Sequence, residues 1–471
     1  MMKRNSIGRR ELLQVGAVGA ASAVLGTRLA GGAAEARKRR PNVLFIFTDQ
    51  QSQRAMSCAG NKWLKTRHMD SIAANGVSFE NSYCTSPVCS PSRSSLLTGR
   101  MPHETGVNVN NKPIKSGIPN MGEVFRAAGY ETAYTGKWHL PTSYPWGVNA
   151  EIPGFDYLVP KLANPSGWGA VADGPVTDRA VEFLKRRHDK PFLLAVSLHN
   201  PHDICGWIRT NPGQHPDLDK FPPLPANHAI DPNEPEFIRL CRQRKRYGTE
   251  IKRTVNWTDD HWRIYLNAYY RFNEDVDKQV GRILAALREQ GLEEDTLIVF
   301  TSDHGEGMGG HKWVVKLMLY EEPVTVPIIV SWKGVTPGGV VDKTHLVSGV
   351  DVLPTICDYA GVRGPQMTGK SLRKVIEKSE LQGSEFVVSE LAPYLEDLNR
   401  CGRMLRTARY KYVIFSEGEI PEMLFDMKDD PGETKNLAYD SGMAMTKVVE
   451  QHRELLGKWI ERTGDYFKMP V

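Results

Sequence analysis

Four apolar runs in this chain stop abruptly at polar side chains, and no other feature restricts the fold as strongly. Residues 42–48 (NVLFIFT) run into Asp49-Gln50, and residues 131–134 (ETAY) deliver GKWHL at 136–140. Residues 191–198 (PFLLAVSL) deliver HNPHD at 199–203, and residues 296–302 (TLIVFTS) deliver DHGEG. A short continuous apolar run is the pattern of a strand buried on both faces. The segments around 121–128, 177–187 and 261–292 carry helical periodicity instead. Strands alternating with helices predict an α/β fold, a large and mainly parallel sheet sandwiched by helices with right-handed crossovers. Ligands bind such sheets beyond the carboxyl ends of the strands. Asp49, Lys137, His139, His202, Asp303 and His304 are therefore expected on one rim.

The remainder divides less sharply. Residues 204–260 break into a Pro-rich, charged insertion, more in keeping with a functional loop or lid than with a connector. Its basic run RQRKRYG at 242–248 is either a solvated helical face or a grip for an anionic glycan. After a strand at 326–332 and a helix near 351–360, short strands (EFVVSEL, RTARYKYVIF), the turn DDPGE and a helix over 446–462 predict a smaller α+β subdomain across 380–471.

Residues 1–36 begin with basic side chains, contain Arg9-Arg10 followed by Leu12-Leu13, and end in Ala34-Glu35-Ala36. A basic start, an apolar stretch and a small-x-small site make an export signal, here of the twin-arginine type, which carries folded proteins to the periplasm or beyond. The apolar stretch is too short for stable membrane insertion. Its removal lowers the formal charge from +5 to +2, which leaves no case for nucleic acid as a partner. The seven cysteines are scattered without metal-ligand spacing, and an odd count in an exported chain leaves at least one thiol to explain while others are free to pair.

The rim residues suggest a chemistry. Asp49, Gln50 and Asp303 offer the hard oxygen ligands that Ca²⁺ or Mg²⁺ prefers, with His304 as a nitrogen ligand or a partner of one. Arg93, Lys137 and Lys316 add positive charge suited to a tetrahedral oxyanion, and His139 and His202 can move protons near neutral pH. Each residue alone has a plainer reading, as a cap, a surface histidine or a buried thiol. Together they point to hydrolysis of an anionic ester.

The nucleophile comes from CTSPVCSPSRSSLLTGR at 84–100, which places Cys89 at a helix amino terminus, where backbone N–H groups favour negative charge. CSPSRSSLLTG resembles the signature of the type I sulfatases, members of the alkaline phosphatase-like superfamily, in which the cysteine of C-x-P-S-R is oxidised to formylglycine. NVLFIFTDQ, GKWHL, NPHD, TSDHGE and KLMLYEEPVTVPIIV resemble further family segments in the family's order across 41–362, and YKYVIF with LFDMKDDPGETKNLA resembles its carboxyl-terminal subdomain. Gln50 stands where many members carry aspartate, and His304 where many carry asparagine. The resemblance implies a catalytic domain over 41–362 and a metal site of Asp49, Gln50, Asp303 and His304 with modified Cys89, holding Ca²⁺ in preference to Mg²⁺. It implies that the hydrated aldehyde attacks sulfur, that His202 or Lys316 protonates the leaving alcohol, that His139 helps expel sulfate, and that Arg93 and Lys137 fix the diol. Lys137, His202, Lys316 and His311 would contact substrate. A formylglycine-generating enzyme would be the maturation partner, and a sulfated small molecule or glycan the substrate. A phosphonate or phosphodiester hydrolase and a non-catalytic sulfoglycan-binding protein are the alternatives.

Overall fold

In chain order the strands of the large sheet and its neighbours are β1 (Asn42–Asp49), β2 (Val77–Phe79), β3 (Ser82–Tyr83), β4 (Glu131–Gly136), β5 (Asp156–Tyr157), β6 (Phe192–Pro201) and β7 (Thr296–Ser302). They are followed by β8 (Ile328–Ser331), β9 (Val340–Asp342), β10 (Val347–Ser348), β11 (Phe386–Leu391), β12 (Gly402–Thr407), β13 (Tyr410–Phe415) and β14 (Glu422–Asp426). The computed structural model describes residues 40–140, 151–158, 169–210, 217–243, 249–378, 382–393, 397–439 and 442–470. The expected export signal at 1–36 and residues 244–248 of the basic run lie outside the described residues.

Among the described residues the main sheet has the order β5-β4-β6-β1-β7-β8-β2-β9. β1 lies at its middle, parallel to β6 with Phe45 opposite Ala195, and parallel to β7 with Phe45 opposite Val299. β4 also pairs in parallel with β6. β8 runs antiparallel to β7 and to β2, so the sheet is mainly and not wholly parallel.

Successive side chains of β1 point to opposite faces, and both faces are covered. Val43, Phe45 and Phe47 join one apolar layer with Leu193, Leu297 and Val299. Leu44 and Ile46 join the other with Val276, Val280 and Ile283 of the long Asp259–Glu289 helix and with Ala180 and Phe183 of the Gly169–Lys185 helix. That double burial is why the run NVLFIFT shows no polar alternation. Each such side chain contributes about 1.5–3 kcal/mol on leaving water.

The carboxyl-terminal sheet is antiparallel in the order β11-β12-β13-β14. Leu405, Tyr412, Ile414 and Leu424 pack against Val449, Leu456 and Trp459 of the Met443–Thr463 helix. RTARYKYVIF is part of a hairpin: β12 ends at Thr407 and β13 begins at Tyr410. The sheet touches the segment ahead of Cys89 directly, where the Glu390 amide donates to the Thr85 carbonyl at 2.7 Å and the Ser389 hydroxyl donates to the Cys84 carbonyl.

Candidate active site

Beyond the carboxyl ends of β1, β4, β6 and β7 the expected groups converge. The helix Cys89–Thr98 starts at Cys89 after an extended Val88 and is buried along its whole length. Cys89 Sγ lies 2.9 Å from Lys316 Nζ, 3.2 Å from His304 Nε2 and 3.7 Å from Asp49 Oδ1. Burial and the Asp49 charge push this thiol up, but Lys316, Lys137 and His304 outweigh them and bring it down to about 6. The other cysteines with resolved shifts, Cys58, Cys84, Cys205, Cys357 and Cys401, move upward instead, each chiefly through burial. All seven thiols are free, so the pairing left open by the sequence does not occur.

Arg93, one turn along that helix, is the organiser. Its Nε donates to Asp303 Oδ2 at 2.8 Å, one terminal nitrogen to Asp49 Oδ2 at 2.9 Å, and the other to the Lys137 carbonyl at 2.7 Å and Ser197 Oγ at 2.8 Å. Lys137 Nζ reaches Asp49 Oδ2 at 2.6 Å. Asp49 Oδ2 is thereby occupied, leaving Oδ1 toward Cys89 and His202 Nε2, the latter at 4.0 Å. Burial raises Asp49, but Lys137, His202 and Arg93 hold it well below the usual carboxylate range. Asp303 is pushed the other way, to about 6, by burial and by the neighbouring Asp49 charge. Asp303 Oδ1 accepts the backbone N–H groups of Gln50 and His304 at 3.0 and 2.8 Å.

The loops are bent to aim these groups. Gln50 and His139 have φ of 76° and 58°, the left-handed region that non-glycine residues rarely occupy. Val315 and Leu317, on either side of Lys316, do so as well, at 59° and 67°. Backbone strain of this kind costs about 1–3 kcal/mol per residue and clusters where side-chain placement matters. Lys316 Nζ, so presented, also donates to Gln50 Oε1 at 3.0 Å. The Ser90 hydroxyl donates to the His139 carbonyl at 2.5 Å. Burial, Lys316 and Lys137 hold His202 well below its ordinary value, and burial, Lys137 and Arg93 do the same to His139, so both rings are neutral at pH 7.

The donor set suits a hard divalent cation. One ligand atom each from Asp49, Cys89, Asp303 and His304 lies within 4.8 Å of the others, and the Gln50 carbonyl oxygen faces the same ammonium as Cys89. The His304 Nδ1 is held by the Gly305 carbonyl at 2.8 Å, which can only accept, so the proton sits on Nδ1 while Nε2 is turned to Cys89. Carboxylate, amide oxygen and imidazole together match Ca²⁺ or Mg²⁺ more closely than a thiolate-rich site would.

His311 departs from the sequence expectation of a substrate contact. Its ring is buried, stacks on Tyr320 at 4.0 Å, and belongs to a separate cluster with Glu322 and Glu433. Burial lowers its proton affinity. The local turn, with Gly309, His311 and Lys312 all at positive φ, folds the ring inward.

Other groups had no sequence signal because they arrive from distant segments. Asp173 accepts the backbone N–H groups of His199 and Asn200 at 2.6 and 2.9 Å, fixing the turn that carries His202. Asn110 accepts from the Ser90 amide at 2.9 Å. Glu306 accepts from Gln50 Nε2 at 2.5 Å, from the Tyr265 hydroxyl and from the Val315 amide.

Comparison with known proteins bears on this arrangement. Residues 41–362 match the family model described as Sulfatase, and residues 309–461 match that described as N-sulphoglucosamine sulphohydrolase, C-terminal. The chain is 33% identical to a Delta 4,5-hexuronate-2-O-sulfatase of Bacteroides thetaiotaomicron over 94% of this chain and 93% of that protein. It is 29% identical to an ulvan-active sulfatase of Formosa agariphila over 91% of this chain and 83% of that one. A solved structure of a 2-O GAG sulfatase superposes with a TM-score of 0.81 and 31% identity, covering 92% of this chain and 95% of the other. Domain match, whole-length identity and fold agree: the chain belongs to the sulfatase family and is a sulfuric ester hydrolase.

Proposed function

We propose that the chain is an exported sulfatase acting on a sulfate ester of a carbohydrate, of the glycosaminoglycan type, through a formylglycine made from Cys89. The observation that carries this reading is the setting of Cys89: a buried thiol at a helix amino terminus, within 3.2 Å of Lys316 Nζ and His304 Nε2. Carbohydrate as the substrate class rests on the relatives, which include a hexuronate 2-O-sulfatase and an ulvan-active sulfatase.

Formylglycine supplies a hydrated aldehyde whose hydroxyl is nucleophilic toward sulfur and whose second hydroxyl permits release of sulfate, and a divalent cation, Ca²⁺ before Mg²⁺, supplies charge for the sulfate oxygens. Asp49, Gln50, Asp303 and His304 would hold that cation. Arg93 keeps both carboxylates in register, and Lys137 shares Asp49 Oδ2 with it. Lys316 and His202 stand beside the reacting position, Lys316 as a charged donor and His202 as a neutral ring; either suits proton delivery to the departing alcohol. The neutral His139 suits proton removal when sulfate is released.

In this reading residues 1–36 are a twin-arginine signal delivering the folded protein to the periplasm or beyond, 41–362 form the catalytic domain and 380–471 the carboxyl-terminal subdomain. A formylglycine-generating enzyme is the maturation partner, acting before export. The test is mass spectrometry of the tryptic peptide containing Cys89 from protein made in its own host, paired with turnover of matched sulfate, phosphonate and phosphodiester substrates. The expected result is thiol-to-aldehyde conversion with sulfate esters turned over fastest. An intact thiol with glycan binding and no turnover would replace this reading with a sulfoglycan-binding protein, and a dominant phosphodiesterase or phosphonate rate would replace the substrate class.

A further inference from the structure

Gln50 is an unusual place to find an amide. It lies at the end of the central strand, fully buried, between the ammonium of Lys316 and the carboxylate of Glu306. An amide has a donor end and an acceptor end, so its value as an oxygen ligand depends on which end faces the site. Lys316 Nζ can only donate, and it lies 3.0 Å from Gln50 Oε1; Glu306 Oε2 lies 2.5 Å from Gln50 Nε2. The opposite orientation would set carboxylate oxygen against carbonyl oxygen and ammonium against NH₂. The carboxylate is itself anchored: the Tyr265 hydroxyl and the Val315 amide both donate to Glu306 Oε1, leaving Oε2 for Gln50.

We propose that Glu306 is a positioning residue that locks the Gln50 amide with its carbonyl oxygen toward Cys89 and thereby makes an otherwise ambivalent amide a usable oxygen ligand for the divalent cation. The inference rests on the metal reading above. It gives a buried carboxylate outside the cluster a task, and it explains how a neutral side chain serves at the metal site of this chain. Partners of this outer kind are worth about 10- to 100-fold in metal affinity.

The test is Ca²⁺ titration calorimetry on the purified mature chain, comparing wild type with E306Q and with the exchanged pair Q50E/E306Q. In E306Q the new NH₂ faces either the Val315 N–H or the Gln50 NH₂, and the second arrangement turns the Gln50 carbonyl away from the site. The expected loss is about 10- to 100-fold in Ca²⁺ affinity. In Q50E/E306Q the donor and acceptor change sides, so the hydrogen bond re-forms and a carboxylate oxygen faces the cation. Affinity should return to within about threefold of wild type or exceed it, the non-additivity expected of a direct pair.

Unchanged affinity in E306Q overturns the proposal, as does a loss that Q50E does not repair, since a merely structural role for Glu306 would not be rescued from position 50. If E306Q alone does not fold, the exchanged pair still decides: a folded, Ca²⁺-binding double variant supports the lock, and one that neither folds nor binds overturns it. Wild type that takes up no Ca²⁺ would remove the metal reading itself, and the positioning role with it, a result distinct from an unaffected E306Q.

Discussion

Arg93 has no exposed surface, and neither do Asp49 and Asp303, the two carboxylates it holds. Isolating either acid in that environment would be costly, because breaking a buried ion pair on one side leaves a charge without compensation. Arg93→Met is therefore expected to lose about 3–5 kcal/mol of unfolding free energy, read from the denaturant midpoint, together with any turnover. An unchanged midpoint would mean that Lys137 and the backbone N–H groups satisfy the acids without the guanidinium. The sequence made Arg93 visible through its place in CSPSR, but not its partners. Ser197 and the Lys137 carbonyl are brought to it by β6 and β4. Glu306 and Asp173 were silent for the same reason: a buried acid declares a role only through what it touches, and both touch segments remote in sequence.

At the scale of elements, strand ends do the aiming. β4 terminates at Gly136 with φ of 100°, and a Cβ there would fall 1.9 Å from the Ser197 carbonyl oxygen of β6. Both the conformation and the close approach demand glycine. Gly136→Ala should lower the melting temperature measurably and impair turnover more than the stability loss explains, because Lys137 and His139 follow immediately. A variant of wild-type stability and activity would show that β4 and β6 can part without moving those side chains. The strands themselves were legible because both faces are covered, which turns them into plain apolar runs, and because helices of matching periodicity separate them. The antiparallel turn of β8 and the separate strands β12 and β14 were not, since short strands carry their pairing partners nowhere in their own residues.

Across the whole molecule, buried charge joins the carboxyl-terminal sheet to the catalytic framework. Lys411 of β13 reaches Glu321 at 3.0 Å and Glu433 at 2.7 Å, and Arg403 of β12 reaches Asp465 at 2.6 Å. Glu321 lies only five residues beyond Lys316, so the docking of that sheet also steadies the segment presenting the lysine. Stability should depend on pH through buried acids away from the site. Asp351 accepts the Ser348 and Lys370 amides at 2.9 and 2.8 Å, yet burial raises it to about 6 from 3.8. Between those values the folded protein keeps a proton that the unfolded chain has released, so stability falls as pH rises from about 4 to 6, by about 3 kcal/mol for this group. Asp351→Asn should show a shallower decline in melting temperature over that window, and an identical decline would assign the effect elsewhere. By itself the sequence determined the α/β class, the rim and the chemistry of Cys89, because burial on two faces and the order of side chains along each strand are written locally. Only the tertiary structure decided that His311 turns away to Tyr320, that the thiols stay unpaired, and that Glu306 meets Gln50, because contacts between distant segments depend on distances that no local pattern encodes.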